Sequence, residues 1–247
     1  MDNIQIGISG YLGRMGQELV NHAKKDKRIN YAGGFDIKDT NKIINEIFDK
    51  SDVVIDFSSP LAIKQNIDLA VSNKTALVIG TTGLNEKNIN QLKNASKKIP
   101  ILVSSNMSLG VNLLFNLVEK TASILKDADY DIEIAETHHK HKKDAPSGTA
   151  ISLGEYAAKG RKTKLKNVKV LDRTKTTTVR KKGDIGFSVT RGGEVPGEHT
   201  VSFIGHNDRI DLFHKASNRS IFVSGAIEAS IFVSKKKRGF FNMKDLF

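Results

Sequence analysis

A chain of 247 residues with 38% hydrophobic side chains can bury a sizeable core, and its lack of cysteine excludes disulfides, thiol nucleophiles and cysteine-ligated zinc. The formal net charge of +12 is concentrated in one place: between His138 and Lys182 stand 14 Lys and Arg against 3 Asp and Glu, with Tyr156 the only aromatic residue. That segment lacks the interleaved stacking platform of a single-strand nucleic-acid binder, no apolar run reaches membrane-spanning length, and the opening MDNIQIGISG is not patterned as a secretory signal, so a cytoplasmic protein is expected, with neither nucleic acid nor membrane as partner.

The chain opens on IQIGIS, a short β-type run, followed by GRMGQELVNHAKK, whose Met15, Leu19 and His22/Ala23 fall on one side of a helix. Four more apolar runs follow, NYAGGFD, DVVIDFSS, ALVIGTTG and ILVSSNMS, with helical candidates LAIKQNIDLAVSN and NEKNINQLKNASKK between them. Continuous apolar strands alternating with helices predict an α/β fold, a parallel sheet covered on both faces. After Ser108 the pattern changes. GVNLLFNLVEKTASILKD predicts one long helix with an apolar stripe of Leu113, Leu114, Leu117, Val118, Ala122 and Leu125. DYDIEIAETHH alternates as a half-exposed strand does, and DIGFSVTRGG and HTVSFIGHNDRIDLFHKA add further strands, predicting a second, mixed or antiparallel sheet. The helical SIFVSGAIEASIFVSKKK is placed back with the first part.

Between the first strand and first helix, GISGYLGRMG sets Gly7, Gly10, Gly13 and Gly16 at three-residue spacing. Such a turn lets the backbone approach a pyrophosphate while a helix N-terminus points its free N–H groups at the charge. Asp36 lies 20 residues beyond Gly16, where a carboxylate can accept hydrogen bonds from an adenosine ribose. The spacing is not the usual G-x-G-x-x-G, and a turn required only for helix–sheet packing is the competing reading. IGTTG and SSNMS fall where later strands end, at the edge where open α/β sheets bind ligands, or are ordinary turns.

The stretch ETHHKHKKDAPSGTA, residues 136–150, crowds histidines and lysines ahead of small residues. Three histidines and Glu136 suit zinc, but three lysines in the same run repel a dication, so no metal is expected. Pro146 and Ser147 resemble a helix start that would expose the N–H groups of Gly148 and Thr149 as a cradle for a carboxylate. A histidine beside that cradle exchanges protons near neutral pH, nearby ammonium groups favour its neutral form, and a lysine pairs with a carboxylate or donates a proton. The constellation suits reduction of a small anionic substrate by a nicotinamide cofactor.

The motifs GRMG, DVVIDFSSP, GTTG, SNMSLGVN, ETHHKHKKDAPSGTA, GEHTVSF, HKAS and GFFNMKDLF, spread over nearly the whole chain, resemble those of the 4-hydroxy-tetrahydrodipicolinate reductases, also called dihydrodipicolinate reductases, of the diaminopimelate and lysine pathway. The resemblance implies a Rossmann-like dinucleotide-binding domain of residues 1–108, to which 216–247 return, and a central mixed α/β domain of residues 109–215 for substrate binding and oligomerisation as a homotetramer. It implies His138 as general acid/base and Lys142 as proton donor, with His139, Gly148 and Thr149 holding a small dicarboxylate. It places NADH or NADPH against Gly10, Tyr11, Leu12, Gly13, Arg14 and Met15, against Asp36, against Gly80, Thr81 and Thr82, and against Ser104, Ser105, Asn106 and Met107. Hydride would pass to ring C4, with water lost from the 4-hydroxy substrate. Two departures stand out: Ile37 and Lys38 follow Asp36 where family members often have an arginine, leaving the choice of cofactor open, and the segment from Asp36 to Asp52 is short, as if a peripheral loop or helix were trimmed. Competing readings are a Rossmann oxidoreductase for another small dicarboxylate, and a non-catalytic nucleotide sensor or nucleic-acid binder.

Overall fold

A computed structural model describes residues 3–174 and 177–247. The chain forms two compact units: unit 1 comprises Met1–Leu109 and Arg219–Phe247, and unit 2 comprises Gly110–Asn218. Among the described residues no helix is long and apolar enough to cross a membrane.

Unit 1 begins with β1 (Ile4–Ser9), α1 (Arg14–Ala23), β2 (Ile29–Phe35), α2 (Asn41–Asp49), β3 (Val53–Asp56), α3 (Ile63–Asn73), β4 (Ala76–Ile79), α4 (Glu86–Ala95) and β5 (Pro100–Val103). After unit 2 the chain returns to it as α8 (Ser220–Ser234) and β11 (Gly239–Phe241). The strands make one sheet in the order β11-β5-β4-β3-β1-β2, parallel at every pairing. β3 and β4 are buried at every residue because alternate side chains enter two different cores. Ile6, Ile8, Val53, Ile55 and Val78 pack with α1 and α8, whereas Val54, Leu77, Ile79 and Ile101 pack with α2, α3 and α4. This two-sided burial is why these strands read as unbroken apolar runs.

Two elements of unit 1 depart from the sequence-based expectation, while α8 follows it. α2 fills the short segment after Asp36, capped by Thr40 accepting the Ile43 N–H and anchored by buried Ile44, Ile47 and Phe48. β11 extends the sheet beyond β5 through Gly239–Phe241, too short a run to be read as a strand. α8 is buried on nearly all sides, and its fully buried Ala226, Ala229 and Ser230 leave little room between it and its neighbours.

Unit 2 comprises most of α5 (Leu109–Ile124), then β6 (Asp131–His138), α6 (Gly148–Gly160), α7 (Leu165–Val168), β7 (Lys169–Val170), β8 (Ile185–Arg191), β9 (Glu198–Ile204) and β10 (Arg209–Lys215). Its mixed sheet runs β10-β9-β6-β8-β7, with β6 parallel to β8 and antiparallel to β9. The buried side of α5 includes Leu114, Val118 and Ala122 of the stripe expected from the sequence, with Leu125 packed against the same core, but adds Val111 and Phe115, while Leu113 and Leu117 are close to half exposed. A 3.6-residue period that keeps Leu114 and Val118 inward turns positions 113 and 117 aside.

Along β6 the residues Ile132, Ile134, Glu136 and His138 alternate onto the buried face. Register then aligns Ile134 with Val201 and Phe187, Glu136 with His199, and His199 with His214, while Arg191 stands opposite His138. One face of this sheet is therefore apolar through its first rows and polar in its last. Its apolar part packs on Leu114, Val118, Leu153 and Ala157 of α5 and α6.

Replacing Ala226 by Leu should overpack the space around α8 and lower stability by about 1–3 kcal/mol, read as a lower urea midpoint at unchanged m-value. A second outcome follows from His199, whose burial is the main reason its pKa falls to about 4. The unfolded chain takes up this proton near pH 6.5 and the folded chain only near pH 4, so stability declines as pH falls between those values. Urea unfolding at pH 7.5 and pH 5 should show a loss of about 2 kcal/mol from this group. His199→Gln should shrink the difference between the two pH values.

Candidate active site

In unit 1 the strand order reverses at β1, with β2 on one side and β3 on the other. Open α/β sheets bind ligands outside the carboxyl ends of the strands at such a point. Here the chain leaves β1 through Gly10, at φ +79°, and enters α1 after the Gly13 N–H donates to the Gly10 carbonyl at 3.0 Å. A Cβ on Gly10 would lie 2.6 Å from the Phe57 carbonyl oxygen, so the turn needs glycine twice over, for its backbone angle and for its contact with the segment after β3. α1 is preceded by Gly13, which has no side chain to cap the first turn, and carries no acidic residue there. Its first N–H groups and Arg14 thus present uncompensated positive charge, the fit that a pyrophosphate requires.

Two cavities open along this edge and share Gly13, Phe57 and Ser58. The one of about 300 Å³ is lined by Gly10 and Asp36, and also by Ile44, Leu61 and Gln65. Asp36 directly follows β2; its Oδ1 accepts the Ile37 N–H at 2.7 Å, and its own N–H donates to Asp39 Oδ2 at 2.8 Å. Ile37 is 82% exposed and Lys38 also faces solvent. The cavity of about 370 Å³ gathers Arg14 and Met15, then Gly80, Thr81 and Thr82, then Ser105, Asn106 and Met107. Tyr11, Leu12 and Ser104 line neither. Tyr11 packs on the core, Leu12 points largely to solvent, and Ser104 donates its hydroxyl to the Asn106 carbonyl at 2.7 Å, shaping the loop rather than the cavity wall.

Asp56, at the end of β3, ties this edge together and escaped the sequence reading. Its fully buried carboxylate accepts the Ser58 N–H at 2.8 Å, the Ser58 hydroxyl at 2.6 Å, the Thr81 hydroxyl at 2.9 Å and Asn66 Nδ2 at 2.8 Å. The Thr81 hydroxyl is thereby committed to Asp56, although the residue lines the cavity. A buried acid without such donors would cost several kcal/mol, so these loops are held where they are.

In unit 2, Glu136 and His138 complete the buried face of β6. The Glu136 side chain is 1% exposed. Its Oε1 accepts from the Ser147 N–H at 2.9 Å and from Arg191 Nη2 at 2.9 Å; its Oε2 accepts from Arg191 Nη1 at 2.9 Å and pairs with His138 Nδ1. Burial alone would raise the Glu136 pKa, but Arg191, the Ser147 N–H and His138 outweigh it and hold the carboxyl below its ordinary value. The His138 pKa lies below the ordinary imidazole value first because of burial; Glu136 opposes that, while Lys142 and Arg191 reinforce it. The neutral form was expected from the ammonium groups alone, and burial is the larger cause.

Ser147 caps α6, its hydroxyl accepting the Ala150 N–H at 3.2 Å and lying 3.1 Å from His199 Nε2. Just outside, the Lys142 ammonium pairs with Asp144 at 2.8 Å, and Asp144 is held below its usual carboxylate range by Lys142 and, to a lesser degree, by the Gly148 N–H. Gly148 is exposed, with open space where a side chain would stand, and Thr149 follows it in the first turn of α6. His139 donates its N–H to the Val195 carbonyl at 2.8 Å, and its Nδ1 is buried without a partner among the described residues. Lys140 and His141 lie near Glu194 on the exposed side of the loop. One ligand atom each of Glu136, His138 and His199 fall within 4.8 Å of one another. Arg191 already occupies both carboxylate oxygens, so the guanidinium takes the place of a cation.

Arg191 and His199 were missed in the sequence. The alternation Ile132, Ile134, Glu136, His138 was a signal for the acid, since an acid on a buried face needs partners, but the strands supplying them are distant in sequence.

Comparison with known proteins agrees with both units. Residues 4–107 match the family model described as dihydrodipicolinate reductase, N-terminus, and residues 110–247 match dihydrodipicolinate reductase, C-terminus. Over 99% of this chain and 97% of the relative, the sequence is 42% identical to a 4-hydroxy-tetrahydrodipicolinate reductase of Zymomonas mobilis. It is 39% identical to one of Aquifex aeolicus over 99% of this chain and 98% of that one. The fold is shared with a dipicolinate-bound dihydrodipicolinate reductase from Paenisporosarcina sp. TG-14, at a TM-score of 0.76 and 24% identity over 98% of both chains. With its two family segments in order and relatives matched along nearly their full length, this chain belongs to the dihydrodipicolinate reductase family of NAD(P)H-dependent oxidoreductases.

Proposed function

We propose that this chain carries out the reaction for which its relatives are named, reducing 4-hydroxy-tetrahydrodipicolinate to tetrahydrodipicolinate, with unit 1 holding the nicotinamide cofactor and unit 2 managing the substrate and its protons. Bound NADH or NADPH supplies the hydride for ring C4, and one proton with the departing hydroxyl makes water, so that substrate, reduced cofactor and a proton become product, oxidised cofactor and water. The family match carries the reaction. The division of roles rests on one observation: His138 is clamped at Nδ1 by Glu136 at the end of β6, in the same unit as Lys142 and the start of α6.

His138, neutral near pH 7 because of its burial, acts as general acid/base. Lys142 donates the proton. Gly148 and Thr149 receive a substrate carboxylate at the start of α6, with His139 beside them. The Asp144 carboxylate, between the Lys142 ammonium and the Gly148 amide, supports this assignment, since an anion of the chain itself is stabilised by the same two groups. Asp144 is 58% exposed and has room to swing aside. In unit 1 the α1 N-terminus and Arg14 hold the pyrophosphate, Asp36 the adenosine ribose, and the loops at 80–82 and 104–107 the nicotinamide end. The strong basic excess of residues 138–182 suits an enzyme whose substrate and cofactor are both anions, without nucleic acid.

Asp36 favours NADH by accepting from ribose hydroxyls, while Lys38 offers a charge for a 2′-phosphate. The outer face of the unit 2 sheet, where Ala135, Ser188, Thr190 and Phe213 are exposed, is the surface we assign to a homotetramer, and the protein acts in the cytoplasm.

Generating the unstable substrate with its synthase and following NADH and NADPH consumption separately tests the reading. His138→Gln should lower kcat by on the order of 100-fold or more while leaving NADH affinity within about twofold; an unimpaired rate removes the role assigned to His138. Lys38→Ala should raise KM for NADPH while that for NADH hardly moves. A DNA affinity that persists in salt and exceeds the affinity for dinucleotide would favour the binder instead.

A further inference from the structure

We infer that Glu136, locked by Arg191, is a positioning residue that fixes His138 in the Nδ1-protonated tautomer and so makes Nε2 the nitrogen that exchanges protons with substrate. The inference rests on the acid/base role proposed for His138 and goes beyond it by naming the working atom and what selects it.

Three observations carry it. First, the Glu136 carboxylate receives four donors: two from Arg191, the Ser147 N–H and His138. A carboxylate pinned by a bidentate guanidinium stays ionised and is an acceptor only, so the proton between it and the imidazole belongs to Nδ1. Second, a glycine leaves room at Nε2. This nitrogen lies over Gly197, where a Cβ would come within 2.9 Å of it, so any side chain at 197 would crowd the nitrogen. Third, the same carboxylate holds the Ser147 N–H at 2.9 Å, and Ser147 caps α6. One anion thus sets both the ring and the helix start proposed to receive the substrate carboxylate.

Arg191 has a second consequence. A lone carboxylate against an imidazole would raise its basicity strongly; a carboxylate already neutralised by a guanidinium orients the ring while raising it little. The groups facing His138 are Glu136 on its own strand, Arg191 on β8, His199 on β9 with His214 behind it on β10, and Lys142 and Asp144 in the loop that follows. His199 stays neutral down to about pH 4. The ionised neighbours near neutral pH are therefore Glu136, Arg191, Lys142 and Asp144, and of these Glu136 alone bonds to the ring.

Long-range 1H–15N NMR on the whole protein, with the His138 signals assigned from their loss in His138→Gln, reads the tautomer directly. Nδ1–H above the histidine titration is expected; Nε2–H overturns the inference whatever the kinetics. Glu136→Gln should lose on the order of 100-fold in kcat, leave KM for NADH within about twofold, and move the acidic limb of the pH profile to lower pH, because the negative charge that favours imidazolium is gone. Arg191→Gln should move that limb the other way by leaving the carboxylate uncompensated. Should Arg191→Gln fail to fold, Glu136→Asp supplies the second test: it keeps the charge and should recover part of the rate lost in Glu136→Gln. A Glu136→Gln enzyme with wild-type turnover and pH profile beside a crippled His138→Gln enzyme overturns this inference alone. Undiminished turnover in both variants overturns the acid/base reading and the inference with it.

Discussion

The arrangement of unit 2 depends on one buried anion. Glu136 sits where an Ile would continue the β6 face begun by Ile132 and Ile134, and leaving it there unpaired would cost far more than one apolar side chain returns. Its four donors come from β6, β8 and the residue that caps α6, so satisfying it brings these segments together. Arg191 extends the tie by donating to the Asp144 carbonyl at 2.7 Å, which fixes the loop carrying the histidines and lysines. Packed hydrocarbon in place of a buried ion network commonly preserves the fold. What such a core could not do is hold an imidazole by one nitrogen and leave the other usable.

Unit 1 solves a related problem with the same kind of part. Asp56 also ends a buried strand and also gathers neighbouring loops, through Ser58, Thr81 and Asn66. Its donors are uncharged, however, whereas Glu136 has a guanidinium. The difference fits what lies beside each. Next to Asp56 are an uncapped helix start and Arg14, a setting meant for a polyanion, and the acid there serves to brace the loops from within. Next to Glu136 is His138, the group proposed to gain and lose a proton, and the guanidinium counter-charge keeps the acid ionised.

The sequence disclosed these features unevenly, for physical reasons. Strands buried on both faces leave unbroken apolar runs, so β1, β3, β4 and β5 could be found from local pattern alone. The capping Ser147 announced α6 because a helix start is a local chemical event. α2 was passed over although Thr40 and the spacing of Ile44, Ile47 and Phe48 mark it, because the segment after Asp36 is short, and β11 because a three-residue run is held in place by neighbours rather than by its own pattern. The α5 stripe was drawn through Leu113 and Leu117 by counting leucines; the packed face also uses Val111 and Phe115. At the site, the residues grouped in one motif, His138 to Thr149, were readable together. Arg191 and His199 were not, since only strand register brings a residue 55 positions from Glu136 into contact with it.

The threading of the chain through unit 1 has a consequence for biosynthesis. β1 and β11 belong to one sheet although the whole of unit 2 is made between them, and α8 covers the β1, β3 and β4 core only after that interval. During translation the early strands must therefore wait, with α1 alone covering the face that α8 completes, while unit 2 is synthesised and can fold from its own contiguous segment. The ribosome thus delivers unit 2 whole before it completes unit 1, leaving a nascent surface for chaperones to shield in the meantime.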